Sequence, residues 1–293
     1  MNSYLIQKAV RTPAHLFVVL DYPPFRFIPG VGCGFVAEAQ LKGRDFREAF
    51  QDFMSELNPM LSVISVLTQC PVYSTGLSSY LVYRMNDNSG QIGFFYYVGE
   101  TPAVGMPFHE DELSDLKRVL GHEEWKSYEV AFGYLRQANL AESPIAWLGP
   151  LLMAVEAFAG EAVVHGNCKH CGAAYQYFGM NKEGLKAILG KVLFGKLYGS
   201  GRLRHKLFHG GEVREGEIST VAEQVYRRVV LDFVKKKFAL TSLHEIVNAP
   251  RTSRYESLGI FVELKGRTIG QQTLRELERD HEELISVDEP MGY

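Results

Sequence analysis

The sequence predicts an α+β protein, a small mixed unit followed by a mainly helical bundle. Three observations carry this. Up to about Gly99, short apolar–polar alternations are broken at close intervals by turn residues. Beyond Pro107 that alternation gives way to apolar residues three and four apart, the period of a helix face. Between the two, Pro102 and Pro107 bracket a stretch where a boundary belongs. The divisions read from this are 1–106 for the mixed unit, 107–240 for the helical one and 241–293 for a partly helical extension. A chain of 293 residues suits such a plan.

In order, 15–28 and 34–41 read as strands parted by the breakers Pro29, Gly30 and Gly32. Asp45 can cap a helix to about Leu67, with Phe46, Phe50, Phe53 and Leu57 at helical spacing. Pro59 lies inside it and predicts a kink or a split. Two further strands, 72–85 and 91–99, are joined by the hairpin chemistry of 86–90. The aromatic residues of 22–27 and 94–97 read as sheet core, with a base-stacking surface as the other reading.

In the second part, 110–120 and 124–137 read as helices. Ser143 caps a third, with Pro144 at its first position, running on through Val164. A loop holding Cys168 and Cys171 follows, and Asn181 then caps a helix over 182–198. The segment 217–238, with Val221, Val225, Val229 and Phe233 on one face, is the last strong helix. In the tail, 259–264 reads as a strand and 271–285 as a polar helix.

Composition narrows the function classes. Hydrophobic residues at 46% against 22% charged are enough to form a core, which excludes a disordered or fibrous chain. The net charge of −3 leaves no global basic field to attract nucleic acid or an anionic membrane, so any polyanion site must be local. Four cysteines with only one close pair do not make a disulfide framework and fit a reducing compartment. Lys8 and Arg11 interrupt what would be the apolar core of a targeting signal. The nearest approach to a membrane span, 144–164, contains Pro150, Glu156 and Glu161. The expectation is a cytoplasmic protein with no membrane partner.

Some apparent motifs fail on their chemistry. Gly190–Lys196 (GKVLFGK) has P-loop spacing, yet Leu197 replaces the magnesium-binding hydroxyl and the context is an amphipathic helix. His122-Glu123-Glu124 with Cys168-x-x-Cys171 imitates a zinc deaminase, but Asn167 stands where its proline should be. Cys168, Cys171 and His165 supply three candidate zinc ligands, with His170 a fourth possibility. No second C-x-x-C completes the set, so a structural zinc and a pair of reduced loop cysteines both stay open.

The most informative segment is KLYGSGRLRHKLFHGGEV (196–213). On a helix, His205 and His209 share a face and Arg204 lies on its flank. An arginine can fork onto a phosphate, and a histidine can move a proton at neutral pH. From Lys182 to Lys206 the cations Lys182, Lys186, Lys191, Lys196, Arg202, Arg204 and Lys206 face only Glu183, a local net of +6. Such an excess suits an RNA backbone, and a solvated helix face explains it as well.

This segment resembles the signature of HEPN domains, helical bundles found in RNases, toxin–antitoxin pairs and phage-defence proteins. The match lies in Arg204, His205, His209 and Gly210 in the short R-x4-H form, with Leu197–Tyr198 upstream; His205 stands where asparagine is commoner. An earlier helix ending in MAVEAFAGEA resembles the alanine- and glutamate-containing helix of that family, and the likeness spans roughly 124–238. The resemblance implies an endoribonuclease that needs no cofactor or metal, acting on RNA and not DNA, in stress or defence. His209 would do acid/base work, Arg204 would steady the phosphate and His205 would position one of them. It also implies a homodimer in which two motifs share one cleft. Since many HEPN-like domains serve as binding or scaffolding modules, a non-catalytic module is the alternative.

Overall fold

The computed structural model describes residues 1–29, 34–73, 80–86, 89–98, 107–141, 143–167, 170–199, 203–209, 215–243 and 256–264. Their elements run β1 (Asn2–Val10), β2 (His15–Leu16), β3 (Leu20–Tyr22), β4 (Phe25–Pro29), β5 (Phe35–Gly43), α1 (Phe46–Leu67), β6 (Tyr80–Arg84), β7 (Ser89–Val98), β8 (Pro107–Phe108) and α2 (Glu110–Leu120). Then come α3 (Trp125–Asn139), α4 (Pro144–Ala159), β9 (Glu161–Asn167), β10 (Ala174–Met180), α5 (Lys182–Tyr198), α6 (Leu203–His209) and α7 (Glu215–Tyr226). The helix α7 continues as a π-helical stretch, Arg227–Val234, with Lys235–Lys237 closing it, and β11 (Glu256–Leu264) follows. The protein is α+β.

The chain divides into two compact units, residues 1–117 with 246–293, and residues 118–245. The division falls within α2, a helix later than the Pro102–Pro107 boundary suggested by the sequence. The segment beyond 245 groups with the first unit.

In the first unit, a seven-stranded sheet runs in the order β11-β7-β6-β1-β5-β4-β3, every neighbouring pair antiparallel. Its central strand, β1, was not expected as a strand, because Lys8 breaks the alternation of Tyr4, Ile6 and Val10. In the fold Lys8 is 2% exposed, its ammonium 5.9 Å from the centre of the Tyr80 ring. The registers put Phe27, Ala37, Lys8 and Tyr80 in one row, and Phe25, Ala39, Ile6 and Val82 in the next. Across this face lies α1, with Phe53 5.2 Å from Phe25, Phe50 4.5 Å from Tyr80 and Phe46 5.4 Å from Tyr4.

Asp45 does cap α1, its carboxylate accepting from the Glu48 amide at 2.8 Å. The expected kink does not split the helix, which runs through Pro59. Buried residues on both sides of the proline, from Phe53 to Leu67, hold the register against the roughly 3 kcal/mol that an interior proline costs. The strand expected at 259–264 is part of β11, whereas 271–285 and Cys33 lie outside the described residues.

In the second unit, α3, α4, α7 and its π-helical continuation bury a cluster in which Phe132 lies 5.7 Å from Phe158 and 5.6 Å from Phe238. Ser143 caps α4 by accepting from the Ala146 amide, with Pro144 in the first turn as the sequence suggested. The expectation that this helix runs to Val164 is wrong. Gly160, at φ 68°, closes it in a backbone region that side chains disfavour, and β9 and β10 then form an antiparallel hairpin. The cysteine loop therefore joins two strands, not two helices. The overlooked signal is the glycine followed by alternating EAVVHGN and the aromatic AYQYFGM.

Asn181 caps α5 by accepting from the Gly184 amide at 2.9 Å, while its own amide donates to the Ala159 carbonyl at 2.8 Å. One residue thus starts α5 and ties it to the end of α4. At Gly190 (φ 76°, ψ 158°) the helix breaks, so α5 is two helical pieces. Among the described residues no helix is long and apolar enough to cross a membrane.

Candidate functional site

Three segments singled out by the sequence meet through hydrogen bonds: α4 with Glu156, the end of α5 with Tyr198, and α6 with Arg204. The Arg204 guanidinium donates to Glu156 twice, Nε to Oε1 at 2.5 Å and Nη2 to Oε2 at 3.0 Å. Tyr198 donates its hydroxyl to Oε1 at 2.8 Å. This two-point geometry fits a planar guanidinium to a carboxylate and fixes the rotation of α6 against α4. Arg204 also lies over Phe208, 5.2 Å from the ring centre, and 5.9 Å from that of Tyr198.

Both partners of the ion pair are partly buried, at 32% and 27% side-chain exposure, which lessens solvent screening. The hydrogen bonds to Glu156 hold the Arg204 pKa above the ordinary arginine value. Burial, and after it the Glu156 charge, pushes the Tyr198 hydroxyl far above the usual tyrosine range, so it stays a donor.

The local chain path explains why these groups converge. Gly199 ends α5 with its amide donating to the Gly195 carbonyl at 3.0 Å. A Cβ at Gly199 would come within 2.3 Å of that same oxygen, so any side chain would push the turn open. Leu203, buried, starts α6.

On the outer side of α6 stand His205 and His209, both exposed, one turn apart, their ring centres separated by 4.4 Å. The helix thus carries two stripes at four-residue spacing. Arg204 faces the anchor, Phe208 lies against its guanidinium while still 45% exposed, and the two imidazoles face solvent. The bonds to Glu156 use Nε and Nη2 of Arg204, so Nη1 is the guanidinium nitrogen not spent on that carboxylate. Two adjacent imidazoles can accept a proton at one ring and deliver one from the other.

Four of the expected RNA-contacting cations stand in solvent and a fifth is paired. Lys182, Lys191, Lys196 and Lys206 are exposed, while Lys186 pairs with Glu183 at 2.6 Å and lies over Phe194. Lys182 and Lys196 are on the order of 20 Å apart at helical rise, before the break at Gly190 is considered. Arg202, Gly210 and Cys168 lie outside the described residues.

Of the other candidate metal ligands, His165 is exposed on β9, with His170 and a free Cys171 exposed in the loop. No group of three His, Cys, Asp or Glu side chains among the described residues could hold a metal. The deaminase-like residues go elsewhere. His122 accepts from the Glu124 amide at 3.2 Å and packs on Phe238, and Glu124 pairs with Lys237.

The sequence reading gave Glu156 as a charge against a membrane span and as part of a family-like helix, and Tyr198 as a helix end upstream of the motif, without joining either to Arg204. Yet a lone carboxylate among the apolar side chains of α4 needs a partner if it is to be half buried. That requirement alone could have paired it with a downstream arginine. Against family models, curated proteins and solved structures, the chain gives no match.

Proposed function

We propose that α6 carries a metal-independent RNA-cleaving site of the HEPN type. The observation that carries this reading is the exposed His205–His209 pair on the same short helix as an arginine held in place by a carboxylate. One imidazole takes the proton of a ribose 2′-hydroxyl as its oxygen attacks the adjacent phosphorus. The bond to the 5′-oxygen breaks, and that oxygen receives a proton from the second acid/base group. In this reading His209 takes the proton, His205, one turn away, is the second acid/base group, and Nη1 of Arg204, the guanidinium nitrogen not bound to Glu156, stabilises the charge on the phosphate. The exposed Lys196 and Lys206 add affinity for the backbone. The same reading has two copies of the chain bring their motifs together.

The alternative is a non-catalytic module, supported by the fact that Arg204 spends two of its donors on Glu156. The experiment is incubation of the full chain with single-stranded RNA and with a DNA copy of it. The expected result is cleavage of the RNA alone, leaving 2′,3′-cyclic phosphate ends, and its loss in His209→Ala. RNA that is bound but uncut between pH 6 and 8 selects the binding module.

A further inference from the structure

Arg204 has two aromatic rings beside it, and they are used differently. Tyr198, its ring centre 5.9 Å from the guanidinium carbon, is partly buried, stacks on Phe194 at 5.3 Å and donates its hydroxyl to Glu156. Phe208, at 5.2 Å, is 45% exposed and has no polar atom in its side chain to bond. The two hydrogen bonds to Glu156 already fix the guanidinium, and the anchor is complete without Phe208.

Its position on the helix is the second observation. Phe208 follows Arg204 by four residues and His205 by three, and it immediately precedes His209. At helical spacing its side chain lies between the stripe that carries the arginine and the stripe that carries the imidazoles. A ring standing in water at the border of a cation and two proton-transfer groups suits a ligand with a flat face joined to an anion. A nucleotide has that composition, since its base stacks on aromatic rings and its phosphate takes a guanidinium.

We propose that Phe208 is the base-stacking residue of this site, its ring taking one base of a single-stranded RNA while Nη1 of Arg204 meets the phosphate beside that base. The inference rests on the reading of α6 as an RNA site and adds the form of RNA that the site accepts. A base is one ribose away from its phosphate, and 5.2 Å separates the guanidinium carbon from the centre of the ring, so one nucleotide reaches both. In a duplex the base faces are closed by their neighbours, whereas in loops and single strands they can be splayed onto a ring. Stacking reads no hydrogen-bonding edge, so discrimination among the four bases is small.

Binding of a 2′-O-methyl single-stranded RNA, which lacks the attacking hydroxyl, to the full chain tests this by fluorescence anisotropy. Phe208→Leu keeps an apolar side chain but loses the ring, and should weaken binding roughly 5- to 150-fold, the range that one base–aromatic stack spans. Phe208→Trp should bind like wild type, its added indole emission quenched by the RNA and not by an abasic strand of the same length. The abasic strand, and a duplex, should bind wild type and Phe208→Leu alike. The salt dependence should also be the same in both, because no phosphate contact is lost. In cleavage of unmodified RNA the loss should appear in KM rather than kcat. Phe208→Leu that binds the single strand like wild type overturns this inference and leaves the α6 reading standing. Phe208→Leu that weakens the abasic strand equally shows a ring that merely covers Arg204, and overturns it as well. A wild type that neither binds nor cuts RNA overturns both.

Discussion

Glu156 and Arg204, 48 residues apart in the chain, are joined by two parallel hydrogen bonds that set α6 against α4. The exposed imidazoles of α6 are held by this pair rather than by the core, since Leu203 is the buried residue α6 contributes. The order of the site is therefore set by one carboxylate.

Glu156→Ala should destabilise the protein by about 1–3 kcal/mol, since it leaves a partly buried guanidinium without its acceptor. Tyr198→Phe removes one hydrogen bond and should cost about 0.5–1.5 kcal/mol. Denaturant titration of Glu156→Ala, Arg204→Ala and the double variant gives the coupling directly. A coupling energy indistinguishable from zero would show that the two residues do not act as a unit.

On the chemistry, His209→Ala and Arg204→Ala should each lower RNA cleavage by roughly 10²–10⁴. Their melting profiles should differ. His209 is exposed, so its variant keeps the wild-type melting temperature, whereas Arg204→Ala loses part of the anchor. Lys196→Ala and Lys206→Ala should each reduce the salt dependence of RNA binding by about one unit of slope. Lys186→Ala should do less, because Glu183 already balances its charge.

Glu124 contributes to the acid limb of the pH dependence of stability and Tyr198 to the alkaline limb. The Lys237 ammonium holds the Glu124 pKa below the ordinary glutamate value of 4.5. A lowered acid contributes stability that is present above 4.5 and lost as pH falls through the folded value, so Glu124→Gln should flatten the acid limb. Burial raises the Tyr198 pKa above the ordinary 10.0. Its contribution is complete below 10 and declines as pH rises beyond it, so Tyr198→Phe should soften the alkaline limb. Melting temperatures from pH 3 to 11 read both.

Gly190→Ala should lower stability by about 1–3 kcal/mol, because φ 76° with ψ 158° is a region that side chains scarcely tolerate. Open space surrounds the position, so the cost is backbone strain and not a clash. A neutral Gly190→Ala would mean that α5 straightens without loss.

Much of this was legible in the sequence where local chemistry decides the structure. Asp45, Ser143 and Asn181 each cap the helix assigned to them, because a side-chain oxygen at that position meets amides that need an acceptor. Elements whose reason is distant were harder to see. β1 hides behind Lys8, whose ammonium lies against the Tyr80 ring in the fold, and Pro59 is overridden by packing on either side of it. The hairpin was lost because Val163 and Val164 extend the apolar run of α4, and only Gly160 marks the change. At the site, the spacing of His205 and His209 was readable from helix geometry. The Arg204–Glu156 pair was not, since nothing local links positions 48 apart.

The pairing of β7 with β11 gives the molecule an order of assembly. Val98 and Glu256 are separated by 157 residues, and all of the second unit lies between them. At roughly 5–20 residues per second, a ribosome needs on the order of 10–30 s to deliver β11 after β7 has emerged. For that interval β7 is the open border of the sheet, while the inserted unit can already fold around Phe132 and Phe158. The first unit is begun first and closed last, and a nascent chain is most exposed to mispairing while its second unit is being made.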